Sequence, residues 1–232
     1  MPAPPWRVHL QGSEADLEDL ASCLKNGRTR VFSEDGVYFL ESEILDQIKD
    51  PVALSNAVHE ILQTISSVAR VRRSVAKPIG LANIRWKDAN GTWRRRLSVS
   101  VALTIYGSNI NLTASGIFES CLELALTDDL VRMNLKDFLD AWDFPRLRRV
   151  AETMLLDVGR GDVLKGVQEV VSRGWAARAD CERFWDTVNH GDPTSFGAHS
   201  KSRRGLGKNP MNVIEGGEFL RDLMAKWLES KV

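Results

Sequence analysis

Hydrophobic spacing changes once along this chain, near residue 117. Before that point apolar residues alternate in short runs, interrupted by two helical segments; after it they recur at three- and four-residue steps to the end. A period of two marks half-buried strands, and a period of 3.6 marks amphipathic helices. The chain is therefore expected to fold as α+β. A sheet domain over 1–117 has the order β-α-β-β-α-β-β, and an all-α domain covers 118–232.

The individual elements carry their own signals. In "WRVHLQG", Trp6, Val8 and Leu10 alternate with Arg7, His9 and Gln11, as in a half-buried strand. Ser13 is placed to cap a helix whose inner stripe is Leu17, Leu20, Ala21 and Leu24, with Asp16 at the capping-box position. "TRVFSEDGVYFLES" reads as a hairpin turning at Asp35-Gly36. Asp50-Pro51 opens a long helix with Leu54, Ala57, Val58, Ile61, Leu62, Ile65, Val68 and Ala69 on its inner face. A second hairpin, "IGLANIRWKDANGTWRRRLSVSVALTIYG", is expected to turn at Asn90-Gly91. Because hairpins dominate, the sheet should be largely antiparallel with its helices on one face. Further on, Pro145 should enter one helix, Asp162 should cap another that ends at Gly174, and a third should run over about 179–189. The last helix should bury Leu220, Leu223, Met224, Trp227 and Leu228.

Composition limits the function. Formal charge is zero, and the balance is also local: residues 1–125 carry 14 cations and 14 anions, leaving 17 of each in the rest. An electrostatic site must then be a patch rather than a whole domain. Cys23, Cys121 and Cys181 are far apart, with no CxxC pair for zinc or redox work, and such free thiols fit a reducing compartment. "MPAPPWRVHL" lacks the apolar run of a signal peptide, and "LSVSVALTIYG" is too short to span a bilayer. The expectation is a cytoplasmic protein with no membrane partner. No cofactor or metal is expected.

The second hairpin carries the first candidate site. With a turn of two or four residues, strand parity gathers Arg85, Lys87, Arg94 and Arg96 on one face and sends Trp86 and Trp93 to the other. Like charges about 5 Å apart in water repel by only about 0.8 kcal/mol. A solvated ribbon partly neutralised by Asp88 therefore fits, and so does a surface for an anionic partner. Four neutralised phosphates would give a salt slope of about −3.6 on duplex DNA. With Trp86 and Trp93 turned away, the aromatic platform usual in single-strand binders is missing from that face.

The second candidate is the stretch 187–211. His190, Asp192 and His199 could serve as base, orienting carboxylate and second base, or as three metal ligands, but no HxxxH or HExxH spacing supports either. Lys201, Arg203, Arg204 and Lys208 lie among glycines that can turn backbone amides toward an anion. The segment follows a helix and lacks GxxxxGK[ST], so it is not a phosphate loop of the P-loop type. Seven tryptophans are also present, and adjacent Phe184 and Trp185 cannot both face one helix core. One of them should point to the loop, to the other domain or to a partner.

The run Gly174-Trp175, Phe184-x-x-Thr187-x-Asn189, Gly197-Ala-His199, Pro210-Met211, Glu215 and Trp227-Leu228 resembles the end of a widespread group of uncharacterised bacterial proteins. Those look like F-x-x-T-x-N, a glycine with an R-H pair, P-M and a closing W-L, and no activity is established for them. Ala198 stands here where the group carries arginine. The resemblance implies a bacterial setting and adds weight to the loop. Taken together, the residues point to a non-catalytic module that contacts a protein partner through the hairpin cations, the 197–208 loop or both. Nucleic-acid binding by the same cations is the alternative, and a hydrolase or metal enzyme around His190 and His199 is the third reading.

Overall fold

The structure is a computed structural model that describes residues 6–73, 80–87, 90, 92–96, 115–141, 143–190 and 209–232. The chain divides into two compact units, residues 1–129 and 130–231. The first unit contains β1 (Trp6–Gln11), α1 (Glu14–Cys23), β2 (Thr29–Glu34), β3 (Val37–Ser42), a one-turn α2 (Glu43–Asp46), α3 (Pro51–Arg73), β4 (Gly80–Lys87), β5 (Trp93–Arg96) and α4 (Ser115–Thr127). The second consists of helices: α5 (Asp129–Leu139), α6 (Phe144–Val158), α7 (Val163–Ser172), α8 (Arg178–His190) and α9 (Val213–Glu229). The α+β class with an all-helical second half stands as expected. The division falls at 129/130 rather than 117/118, because α4 packs on α3 and α1.

Five strands form one sheet in the order β2-β3-β1-β4-β5, and every neighbouring pair is antiparallel. The first hairpin turns in two residues, with Asp35 at φ 53° and Gly36 at φ 74°. These left-handed values match the twist of the flanking strands, as a type I′ turn does. Val8, Val31, Leu40 and Ile84 line up across the strands and are buried. They form the sheet side of the core, and Leu17 and Leu20 of α1 with Ile61, Ile65 and Val68 of α3 supply buried helix residues. Ser13 accepts the Asp16 amide and Asp50 accepts the Ala53 amide, so both helix starts are capped as read.

α3 is buried well beyond its apolar stripe. Thr64, Ser66 and Ser67 lie inside along with the aliphatics, and α4 packs on this helix. Thr64 and Ser67 satisfy their hydroxyls within the helix, on the carbonyls of Glu60 and Gln63 at 2.8 Å each.

In the second unit α6 packs against α7, α8 and α9. Asp143 and Asp162 cap α6 and α7. A Cβ built on Gly166 would meet the Leu155 carbonyl oxygen at 2.2 Å, so α7 crosses α6 only because that residue has no side chain. Trp227 is buried and donates its indole N–H to Asp157 at 2.8 Å, and Lys231 pairs with the same carboxylate at 2.9 Å. α9 is thereby tied to α6 at a fixed position along its length.

Candidate functional site

β4 ends at Lys87 and β5 begins at Trp93, so five residues join them. An odd number inverts the parity expected from a two- or four-residue turn. The register pairs Ile84 with Arg96, Arg85 with Arg95, Trp86 with Arg94 and Lys87 with Trp93. Positions 94 and 96 thus share a ladder face with 84 and 86, while 85 and 87 share theirs with 93 and 95. The grouping of Arg85, Lys87, Arg94 and Arg96 on one face is overturned, and so is the grouping of Trp86 with Trp93. Trp86 instead pairs with Trp6 across β1, their ring centroids 6.3 Å apart.

The register creates a different cationic feature. Following the pairs Arg30–Glu41, Arg7–Arg85 and Arg85–Arg95, with Arg7 opposite Glu41 by the β1–β3 register, gives one row across all five strands: Arg30, Glu41, Arg7, Arg85, Arg95. This row lies on the face opposite Val8, Leu40 and Ile84. Four arginines and one glutamate stand in line.

Their charges are not shared evenly. Glu41 is only 3% exposed, and it accepts Arg7 Nε at 2.8 Å and Arg30 Nε at 2.9 Å. Arg7 also pairs with Glu34. Two arginines are therefore balanced by two carboxylates at the β2–β3 end. Arg85 has no carboxylate within ion-pairing reach among the described residues; its guanidinium lies over the Phe39 ring at 5.1 Å. Arg7 and Arg30 lie over Phe32 at 5.1 and 5.7 Å. Rings and guanidiniums thus lie within cation–π distance of one another, which favours positive charge on this face.

The next row along the strands is Phe32, Phe39, His9 and Asn83. Asn83 Nδ2 and His9 Nδ1 are hydrogen-bonded at 2.7 Å. Asn83 is buried, and its Oδ1 has no partner among the described residues. Beside Glu41, the Asp46 carboxyl is raised above the usual aspartate range by partial burial first, then by the charges of Glu41 and Glu43. Among the described residues the cation without a carboxylate thus lies on β4, and negative charge is held near β3 and α2.

The 187–211 stretch is described only at its ends. Asp192, His199, Lys201, Arg203, Arg204 and Lys208 lie outside the described residues, and so does the side chain of His190, the last residue of α8. Among the described residues no group of three His, Cys, Asp or Glu is arranged to hold a metal ion, and no helix is long and apolar enough to cross a membrane. The far end of the stretch is clamped to α8. Thr187, 3% exposed, accepts the Met211 amide at 2.9 Å, and Arg183 donates to the Asn209 carbonyl at 2.7 Å and pairs with Glu215 at 3.2 Å. Phe184 is buried against Phe219 with centroids 5.2 Å apart, while Trp185 is only half-buried. Phe184, Thr187, Met211 and Glu215 thus act in holding α8, the chain before α9, and α9 together.

Sequence reading missed Arg7 and Arg30 as members of the cationic face. Their alternation with Val8 and Val31 marks them as outward-facing, but only the order of the strands brings them into line with Arg85. No protein-family model matches this chain, and no match is found among curated proteins or solved structures.

Proposed function

We propose that this protein is a non-catalytic interaction module that receives an acidic partner protein on the arginine-bearing face of its sheet, at the β4–β5 end. The observation that supports this reading is Arg85, whose guanidinium lies over Phe39 and which has no carboxylate partner among the described residues, beside Arg7 and Arg30, which have theirs. Lys87 and Arg95 occupy the same ladder face by register. A carboxylate row on a partner would complete the pattern that Glu41 and Glu34 begin, with charge-assisted hydrogen bonds to guanidiniums already immobilised by their rings. The bacterial resemblance and the free cysteines support a role within a bacterial cytoplasmic assembly.

Nucleic acid is the second reading. The aromatic rings do share the cationic face after all, but Phe39 is 2% exposed and Phe32 lies beneath Arg7 and Arg30. Neither offers a bare ring to a base, which favours the acidic-protein reading. Binding of a fluorescent glutamate-rich peptide and of a mixed-sequence single-stranded oligonucleotide, each measured against salt, separates the two. The peptide should bind more tightly at equal charge; tighter oligonucleotide binding would favour nucleic acid, and no binding of either would remove the site.

A further inference from the structure

The second unit carries a groove of about 720 Å³ between α6, α7 and α8, formed by residues that the sheet face does not involve. Its α7 wall is mostly apolar: Leu164 is 76% exposed, with Val167 one turn on and Gln168 beside it. Its α8 wall presents Arg178, Glu182, Trp185 and Asp186, spaced so that they fall on one helix face. At the rim, Arg148 and Glu152 neutralise each other at 2.8 Å. Among the described residues, Arg178, Glu182 and Asp186 have no ion-pair partner, so the groove is left with two carboxylates against one guanidinium.

We infer that this groove binds a small organic cation, an ammonium carried on an apolar body. The volume suits a small ligand, and an apolar wall with a few convergent polar groups is the usual make-up of such a site. The body would lie on Leu164 and Val167. The cation would be held by Glu182 and Asp186 and by the face of Trp185, since a ring and carboxylates attract the same charge. An anionic ligand of equal shape would meet both carboxylates and be disfavoured.

The test uses the full chain and a matched pair of probes, hexyltrimethylammonium and hexanoate, followed by the methyl signals of Leu164 and Val167 and the indole signal of Trp185. A Trp185→Phe variant assigns the indole. The ammonium should shift all three with millimolar affinity, and hexanoate should bind about tenfold more weakly. In Glu182→Gln/Asp186→Asn, whose sites are exposed, the preference should vanish with no change in melting temperature. Equal binding of the two probes, no shift at about 50 mM ammonium, or a preference that survives the double substitution would overturn the inference. So would a lysine- and leucine-containing heptapeptide that binds at least about tenfold more tightly, which would make the groove a peptide site.

Discussion

The guanidinium of Arg85 lies 5.1 Å from the centre of the Phe39 ring, one strand beyond Arg7, whose own charge is taken up by Glu34 and Glu41. The two arginines are register partners on adjacent strands, yet among the described residues only Arg7 has a carboxylate partner. That difference is set by Glu41, which is buried and reaches only Arg7 and Arg30.

Replacing Glu41 with Gln should therefore act in two opposite ways. Stability should fall by about 2 kcal/mol, less than for a fully buried pair because Arg30 stays half in water. Binding of an acidic peptide by the folded fraction should tighten, since the row gains a net positive charge. Denaturant melts and peptide titrations on the same samples check both.

Asp46 gives a pH signature. The folded state keeps the Asp46 proton to higher pH than the unfolded chain does, so stability is lost as pH rises from the ordinary aspartate value of 3.8 through the raised folded value. Asp46→Asn should melt higher than the parent above that window. Well below pH 3.8, where Asp46 is protonated in the folded and the unfolded chain alike, the two melting curves should coincide. Thermal melts from pH 3 to 7 decide it.

Two glycines should respond in opposite directions. Gly166→Ala would press a methyl group into the Leu155 carbonyl and should cost about 3 kcal/mol or more through separation of α6 and α7. Gly217, inside α9, has nothing within 4 Å of a built Cβ, so Gly217→Ala should gain about 0.5–1 kcal/mol. Chemical denaturation of the two single variants measures both.

Thr187 holds the chain before α9. Thr187→Val keeps the shape but leaves the Met211 amide without its acceptor, and should cost about 1–3 kcal/mol; Thr187→Ser should cost less than about 1. Hydrogen exchange at Met211 should speed up in the valine variant and not in the serine one.

Much of the fold was legible because short-range chemistry decided it. Asp35-Gly36 can supply two left-handed residues, Ser13 and Asp162 can cap, and the stripe from Leu54 to Ala69 can face only a core. The wider burial of α3 was not legible: Thr64, Ser66 and Ser67 stand outside the apolar stripe, yet all three are interior. The second hairpin misled for a local reason. Asn90-Gly91 is a strong two-residue turn signal, yet Lys87 pairs with Trp93, and that register reverses which arginines share a face. The arginine row could not be read from any one segment. Arg7, Arg30 and Arg85 come from distant strands, and their alignment depends on the order β2-β3-β1-β4-β5.

The most direct measurement is the affinity of the full chain for a glutamate-rich peptide as salt is varied, in the parent and in Arg85→Gln. Arg85 is held by a ring rather than by a buried carboxylate, so the variant should keep its melting temperature to within a few degrees. The parent should bind more weakly as salt increases, and Arg85→Gln should lose about tenfold in affinity together with part of that salt dependence. Equal affinity and equal salt dependence in the two proteins would contradict the assignment of this face as the place where a partner binds.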